Sequence, residues 1–241
     1  MPRASARTPA SAPVKRGPKP KGTLSREIIA RAGLALLDRS GVEDFSLRGV
    51  AAEVGVRPNA IYTYFPSRSA LESGVVDVVL GEARLELLTD EDVDWAQRIQ
   101  DYALSLREAL LRHPGAAPLL LRAPMDGPQA LTIAEALMTA FIDAGLSGPD
   151  GARAVYPLLV YVVGSVALEM ADTPGARAPL PSEAERIAAR KERFTEIDFD
   201  AWPGLHSARS VVGRWPSTTQ FVWGLERLLH GLIAESGEAA P

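Results

Sequence analysis

Residues 45–71 read FSLRGVAAEVGVRPNAIYTYFPSRSAL, and this stretch decides the fold. Ser46 is of the type that caps a helix N-terminus, and Leu47, Val50, Ala51 and Val54 follow it at helical spacing as one apolar stripe. Gly55 suits a left-handed C-cap, with Val56 packing back into the angle. Arg57 and Pro58 restart the chain, Pro58 at a first helical position, and the second helix is expected to run to about Tyr64. Pro66 stops it and Ser67 caps the next. Two short helices joined by a glycine turn form a helix-turn-helix, whose second helix enters a DNA major groove.

Outward from this stretch, charge supports the same reading. The 241-residue chain has a net charge of −4. Residues 1–72 nevertheless carry a balance of +6 and the remainder −10. A basic front and an acidic back are expected where only the front meets phosphate. Residues 1–22 hold six basic residues, no acid, and much Ala, Pro and Ser, so a disordered basic arm is expected there. Its Arg16-Gly17-Pro18-Lys19 reads either as an arm laid in the minor groove or as a solubilising tail.

Composition excludes several functions. There is no cysteine, and His113, His206 and His230 lie far apart, so neither thiol chemistry nor a spaced histidine metal site is expected. No phosphate-cradling glycine loop, Ser/His/Asp arrangement or carboxylate pair is present, so an enzyme is not expected, and neither is a cofactor. The apolar run 154–168 is shorter than the ~20 residues of a bilayer span, and no secretory leader is read at the N-terminus. A cytoplasmic protein with no membrane partner is the expectation.

After Ser67 the periodicity is helical throughout, and an all-α fold follows: a three-helix DNA-binding domain at 23–70, then a helical domain at 71–236. Expected helices run from Ser67 to about Leu88, from Asp94 to His113, near 118–122, over 128–144, from Asp150 to near Met170, over 182–194, and from Ser217 onward. Residues 197–216 read as irregular, with Trp202 and His206 as an optional lid. Helix 154–168 is apolar nearly all round, and the last helix adds Gly224 and Gly231 to its stripe, so both are expected to be buried on two sides.

The stretch at 45–71, with Ser25 to Gly41 before it, resembles the TetR family of bacterial transcriptional regulators. Leu36-Leu37, Gly41, Leu47-Arg48, Val50-Ala51, Val54-Gly55-Val56, Tyr62, Tyr64-Phe65 and Ser67 to Leu71 carry the resemblance. More patchily, the back half resembles the tetracycline-repressor subfamily, through Trp95, Ser105 to His113, Val163-Gly164 and Phe221 to Leu232. The resemblance implies that residues 71–236 form a ligand-binding and dimerisation domain, with a homodimer joined through helices 154–168 and 217–235. It also implies a (pseudo)palindromic operator as partner and release by a small molecule. The subfamily's histidine ligand to a drug-bound magnesium falls on Leu120, its other pocket histidine near Arg84, and its pocket asparagine on Tyr102. An aliphatic side chain cannot coordinate a hard cation, so a mostly apolar or aromatic effector is expected, with no metal.

Candidate DNA-facing residues are Ser46, Arg48, Arg57, Pro58, Asn59, Ala60, Tyr62, Thr63, Tyr64 and Arg68. Asn59 has the geometry to pair with adenine, the arginines with guanine or phosphate, and Ser46, Tyr62, Thr63, Tyr64 and Arg68 with phosphate. Tyr62 also reads as a core aromatic, with DNA contact the leading reading. Candidate pocket residues are Tyr102, Leu106, Leu120, Met125, Met138, Tyr161, Ser165, Glu169 and Met170, lining a cavity between the helix of Tyr102 and that of Tyr161. A repressor is the leading reading. A ligand-responsive activator and a sequence-neutral architectural DNA binder are the alternatives, the latter disfavoured by the acidic back half.

Overall fold

The computed structural model describes residues 24–173 and 179–234. The basic arm expected at 1–22 therefore lies outside the described residues. No strand occurs among those described. The order is α1 (Arg26–Ser40), α2 (Leu47–Val54), α3 (Pro58–Tyr62), α4 (Arg68–Leu80), α5 (Trp95–Arg112), α6 (Ala117–Leu120), α7 (Pro128–Asp143), α8 (Gly148–Ala171), α9 (Glu183–Thr195), α10 (Pro203–Ser207), α11 (Arg209–Val212) and α12 (Thr218–Ala234).

Helices α1 to α4 share one small core of Ile29, Leu37, Phe45, Val50, Ile61, Phe65, Leu71 and Val75, all inaccessible to solvent. This core holds α3 in place. A five-residue helix is far below the length at which a helix stands alone in water, so α3 exists because Ile61 is buried beneath it. Tyr64 and Phe65 then close the turn, each donating its amide to the Ile61 carbonyl. The helix stops at Tyr62 rather than Tyr64.

Helices α5, α7, α8 and α12 build the second core around Ile99, Leu106, Leu110, Leu137, Phe141, Leu158, Val162 and Leu225. By length and composition α8 passes for a membrane-crossing helix, yet 44% of its apolar window is buried inside the protein. It is a core helix with one outer face left uncovered.

Three further boundaries differ from the sequence reading. Helix α4 ends at Leu80, not near Leu88. The Arg84 amide donates to Ser105 Oγ at 2.9 Å, which draws the chain into a 3-10 turn over Leu85–Leu88 and buries Leu88. Ser147, not Asp150, caps α8: its hydroxyl accepts from the Asp150 amide and donates to the Asp150 carboxylate. Residues 197–216, read as irregular, form the 3-10 turn Phe199–Ala201 and the short helices α10 and α11. Glu185 completes a capping box with Ser182 at the start of α9.

Candidate DNA interface and ligand site

The turn between α2 and α3 is made by Gly55 at φ 73, ψ 32, the left-handed region where glycine has no Cβ penalty. Ser46 accepts the Gly49 amide at the start of α2, and Ser67 the Ala70 amide at the start of α4. These local devices set α3 across the end of α2. Of the candidate DNA-facing residues, Arg48, Arg57, Pro58, Asn59, Tyr62 and Thr63 are exposed, and Ala60 is half-buried. Tyr62, read from sequence as either core or contact, is 50% exposed; Ile61 and Phe65 fill the core instead. Tyr64 faces inward, its hydroxyl donating to the Leu24 carbonyl at 2.8 Å. Ser46 accepts at the cap with its hydroxyl oxygen and keeps the O–H as a donor. Arg68 extends from the start of α4, where its Nε donates to Glu72 and its Nη2 to the Val42 carbonyl.

Helix α4 crosses the boundary between head and body, and contacts from it and from α1 tie the head to the rest of the chain. Asp77 of α4 accepts the Gln129 and Ala130 amides at 2.9 and 3.2 Å, so α4, which runs on from the head, caps α7. Gly115, after α5, lies so close to α1 that a Cβ there would sit 2.3 Å from the Leu37 carbonyl oxygen. Beside it, His113 Nδ1 lies 2.6 Å from Asp38 of α1, and Nε2 lies 3.0 Å from Glu82, which also holds Arg112.

Burial pulls the His113 pKa down, and the two carboxylates more than reverse this, so the imidazole stands above its ordinary value. Glu82, although burial raises it, is held below the usual carboxylate range by His113 and Arg112. A raised histidine pKa contributes stability that is fully present below the unfolded-state value of about 6.5 and is lost as pH rises through the folded value. Wild type should therefore melt above His113→Gln at pH 6, with the difference shrinking toward pH 9. A gap that is constant across this range would rule out a charged clasp.

The candidate pocket residues divide into two groups. Tyr102, Leu106, Leu120 and Met170 are buried in the body core, with Met125 and Met138 packed against it. The Tyr102 hydroxyl is buried without a hydrogen-bond partner, and burial pushes its pKa well above the ordinary phenol value, so it stays neutral. Tyr161, Ser165 and Glu169 line an open cavity of about 630 Å³ between α8 and α12, closed by Trp215, Gln220 and Phe221. This cavity is not the one expected between the α5 and α8 walls. Trp215, which forms part of its wall, sits in the segment read as irregular, and nothing in its spacing pointed there. Trp202 and His206, the optional lid, are exposed and absent from its lining.

Glu169 is not free for a ligand. Arg107 of α5 donates to both of its oxygens at 2.9 and 2.7 Å, and Arg186 of α9 donates to one of them. Arg107 also reaches Thr218, whose amide and hydroxyl both donate to Glu183. Four helices thus meet at one buried ionic cluster. No group of three or more metal-ligating side chains occurs among the described residues.

Comparison with known proteins matches both halves. Residues 26–72 match the family described as bacterial regulatory proteins, tetR family, and residues 89–235 match the tetracyclin repressor-like C-terminal domain. An HTH-type transcriptional regulator of Saccharopolyspora erythraea is 31% identical over 90% of this chain and 88% of its own length. The crystal structure of a possible TetR family transcriptional regulator from Streptomyces coelicolor A3(2) superposes with a TM-score of 0.72. It is 29% identical and covers 87% of this chain and 99% of that one. The crystal structure of BioQ with its double-stranded DNA operator, 26% identical, superposes with a TM-score of 0.59 over 88% and 99% of the two chains.

Proposed function

The chain belongs to the TetR family of bacterial transcriptional regulators, and on that premise we propose that it is a homodimeric repressor. It occupies a (pseudo)palindromic operator and is released by a small, mostly apolar ligand. The DNA-binding head is residues 23–70 and the ligand-binding, dimerising body residues 71–236. The observation that carries the reading is the exposed edge of α3, with Arg57, Pro58 and Asn59 standing out from a buried Ile61 beside exposed Arg48 and Tyr62. A rigid short helix that presents an amide and guanidinium groups to solvent has the donors and acceptors for base edges in a major groove. The operator in the BioQ structure supports double-stranded DNA as the partner.

Within the head, Arg57 through Ala60, with Arg48, read bases. Tyr62, Thr63, Ser46 and Arg68 meet phosphates, with Tyr64 bracing the helix from below. Footprinting of DNA upstream of the chain's own gene supplies the operator. Asn59→Ala should then lose about 1–3 kcal/mol of operator binding and little affinity for random duplex, because a base contact carries sequence information whereas a phosphate contact does not. Anisotropy titrations of both duplexes check this, and equal loss on the two would sink the base-reading role.

For the effector, Tyr102 supplies the polar handle. An unpaired buried hydroxyl costs free energy that a ligand's hydrogen bond would recover, and Leu106, Leu120, Met125, Met138 and Met170, in or against the same apolar core, favour an apolar or aromatic body. Tyr161, Ser165 and Glu169 belong to the neighbouring α8 wall. The α8–α12 cavity of about 630 Å³, lined by Tyr161, Ser165 and Glu169 and not by Tyr102, is a separate opening within the size range of small-molecule sites. Release requires that the ligand prefer a body whose two heads no longer match successive grooves.

A further inference from the structure

Glu72 sits on α4 at the seam between head and body, its side chain 11% exposed. One oxygen, Oε1, accepts two charged donors: Arg68 Nε of the head at 2.9 Å and Arg122 Nη2 of the body at 2.7 Å. Arg68 is also tied by Nη2 to the Val42 carbonyl and lies over the Phe45 ring. Its guanidinium is thereby laid across the loop that leads to Ser46, with 46% of the side chain still in solvent. Arg122 follows α6, in the short stretch of body that also presses Gly115 onto α1 and His113 onto Asp38.

We propose that Arg122 is a positioning residue for DNA binding: by sharing the Glu72 carboxylate, it leaves the positive charge of Arg68 available to a phosphate. The inference rests on the reading of Arg68 as a phosphate contact. With both arginines on Glu72 the trio carries a net charge of +1 beside the DNA. With Arg122 withdrawn, Arg68 and Glu72 neutralise each other, and a buried carboxylate is left to claim the guanidinium for itself. Charge-assisted pairs of this kind are strong enough to decide which of two partners an arginine serves. A shift of the body at residues 112–122 would therefore reach the phosphate contact directly through a charge as well as by tilting the head.

The test is a cycle of Arg122→Gln, Glu72→Gln and the double variant, titrated with operator and random duplex over a range of salt. Arg122→Gln should weaken both duplexes about five- to tenfold and lower the slope of log K against log salt by about one, the loss of one phosphate contact. Adding Glu72→Gln should restore most of the affinity and slope, because the competitor for Arg68 is gone. Arg122→Lys, which keeps the charge, should stay near wild type, and thermal melts of each variant confirm an intact fold. A purely structural clasp predicts the opposite, a double variant as weak as Arg122→Gln or weaker, and that result would overturn the proposal. Arg68→Ala separates the two failures. If it weakens binding while Arg122→Gln does not, the positioning role alone falls. If Arg68→Ala binds like the parent, the phosphate reading falls and takes the inference with it.

Discussion

Replacing Glu169 with alanine should destabilise the protein by about 3–5 kcal/mol, the range for removing one partner of a buried ion pair. Both of its oxygens are occupied, and both partners are themselves buried: the side chains of Arg107 and Arg186 are 5% and 7% exposed. The substitution strands two guanidinium groups in the body interior, where Arg186 already has one nitrogen, Nε, without a partner. Glu183 lies 3.6 Å from Arg107 and is already committed to Thr218, so it offers only partial compensation. At ~2–4 °C per kcal/mol for a chain of this size, the midpoint of thermal unfolding should fall by roughly 6–20 °C. Circular dichroism melts check this. A loss below 1 kcal/mol would mean that the cluster is a surface-like pair that water readily replaces. The expected result also separates two roles for the residue: a side chain reserved for orienting a ligand would change effector affinity and leave the melt alone.

That cluster marks where the sequence stops being readable. The head was legible because its signals are local. Ser46, Gly55, Pro58 and Ser67 each act on backbone groups within four residues, and each does in the structure what its chemistry requires. The apolar stripes of α2 and α12 likewise report on their own helices. The Arg107–Glu169 contact spans 62 residues and the Asp77 cap on α7 spans 52 and 53. No periodicity encodes such pairings, so Glu169 read as a polar group lining a pocket, and the early end of α4 was invisible. The two glycines of α12 show the same limit. Gly224 permits the Tyr161 hydroxyl to approach so closely that a Cβ would lie 2.4 Å from it, whereas Gly231 has open space. Spacing alone treats them as equivalent. The α8–α12 cavity was missed for the same reason, since Trp215 reaches it from a different part of the chain.

Val160→Glu should convert the protein to monomers and lower operator affinity by roughly 10²–10⁴-fold, the advantage that linking two binding events confers. The uncovered face of α8 carries Tyr156, Val160 and Leu168, which are 74%, 52% and 74% exposed, and Trp223 of α12 is 54% exposed. Large apolar side chains at i, i+4 and i+12 of one helix leave an exposed apolar face, and a face of this size marks a surface that another chain covers. Under the proposed homodimer that chain is a second copy, with helices 154–168 and 217–235 as the expected interface. The choice of position matters. Val162 is 1% exposed, so a glutamate there would disrupt the subunit's own core and report nothing about assembly. Leu228 is half-buried and mixes the two effects. Val160 projects outward, so its charge meets water in the monomer and is unpaired only when a partner arrives. Sedimentation at micromolar concentration should show a dimer for wild type and a monomer with an unchanged melting profile of the subunit core for Val160→Glu. A variant that remains dimeric and holds the operator at wild-type affinity would move the interface elsewhere.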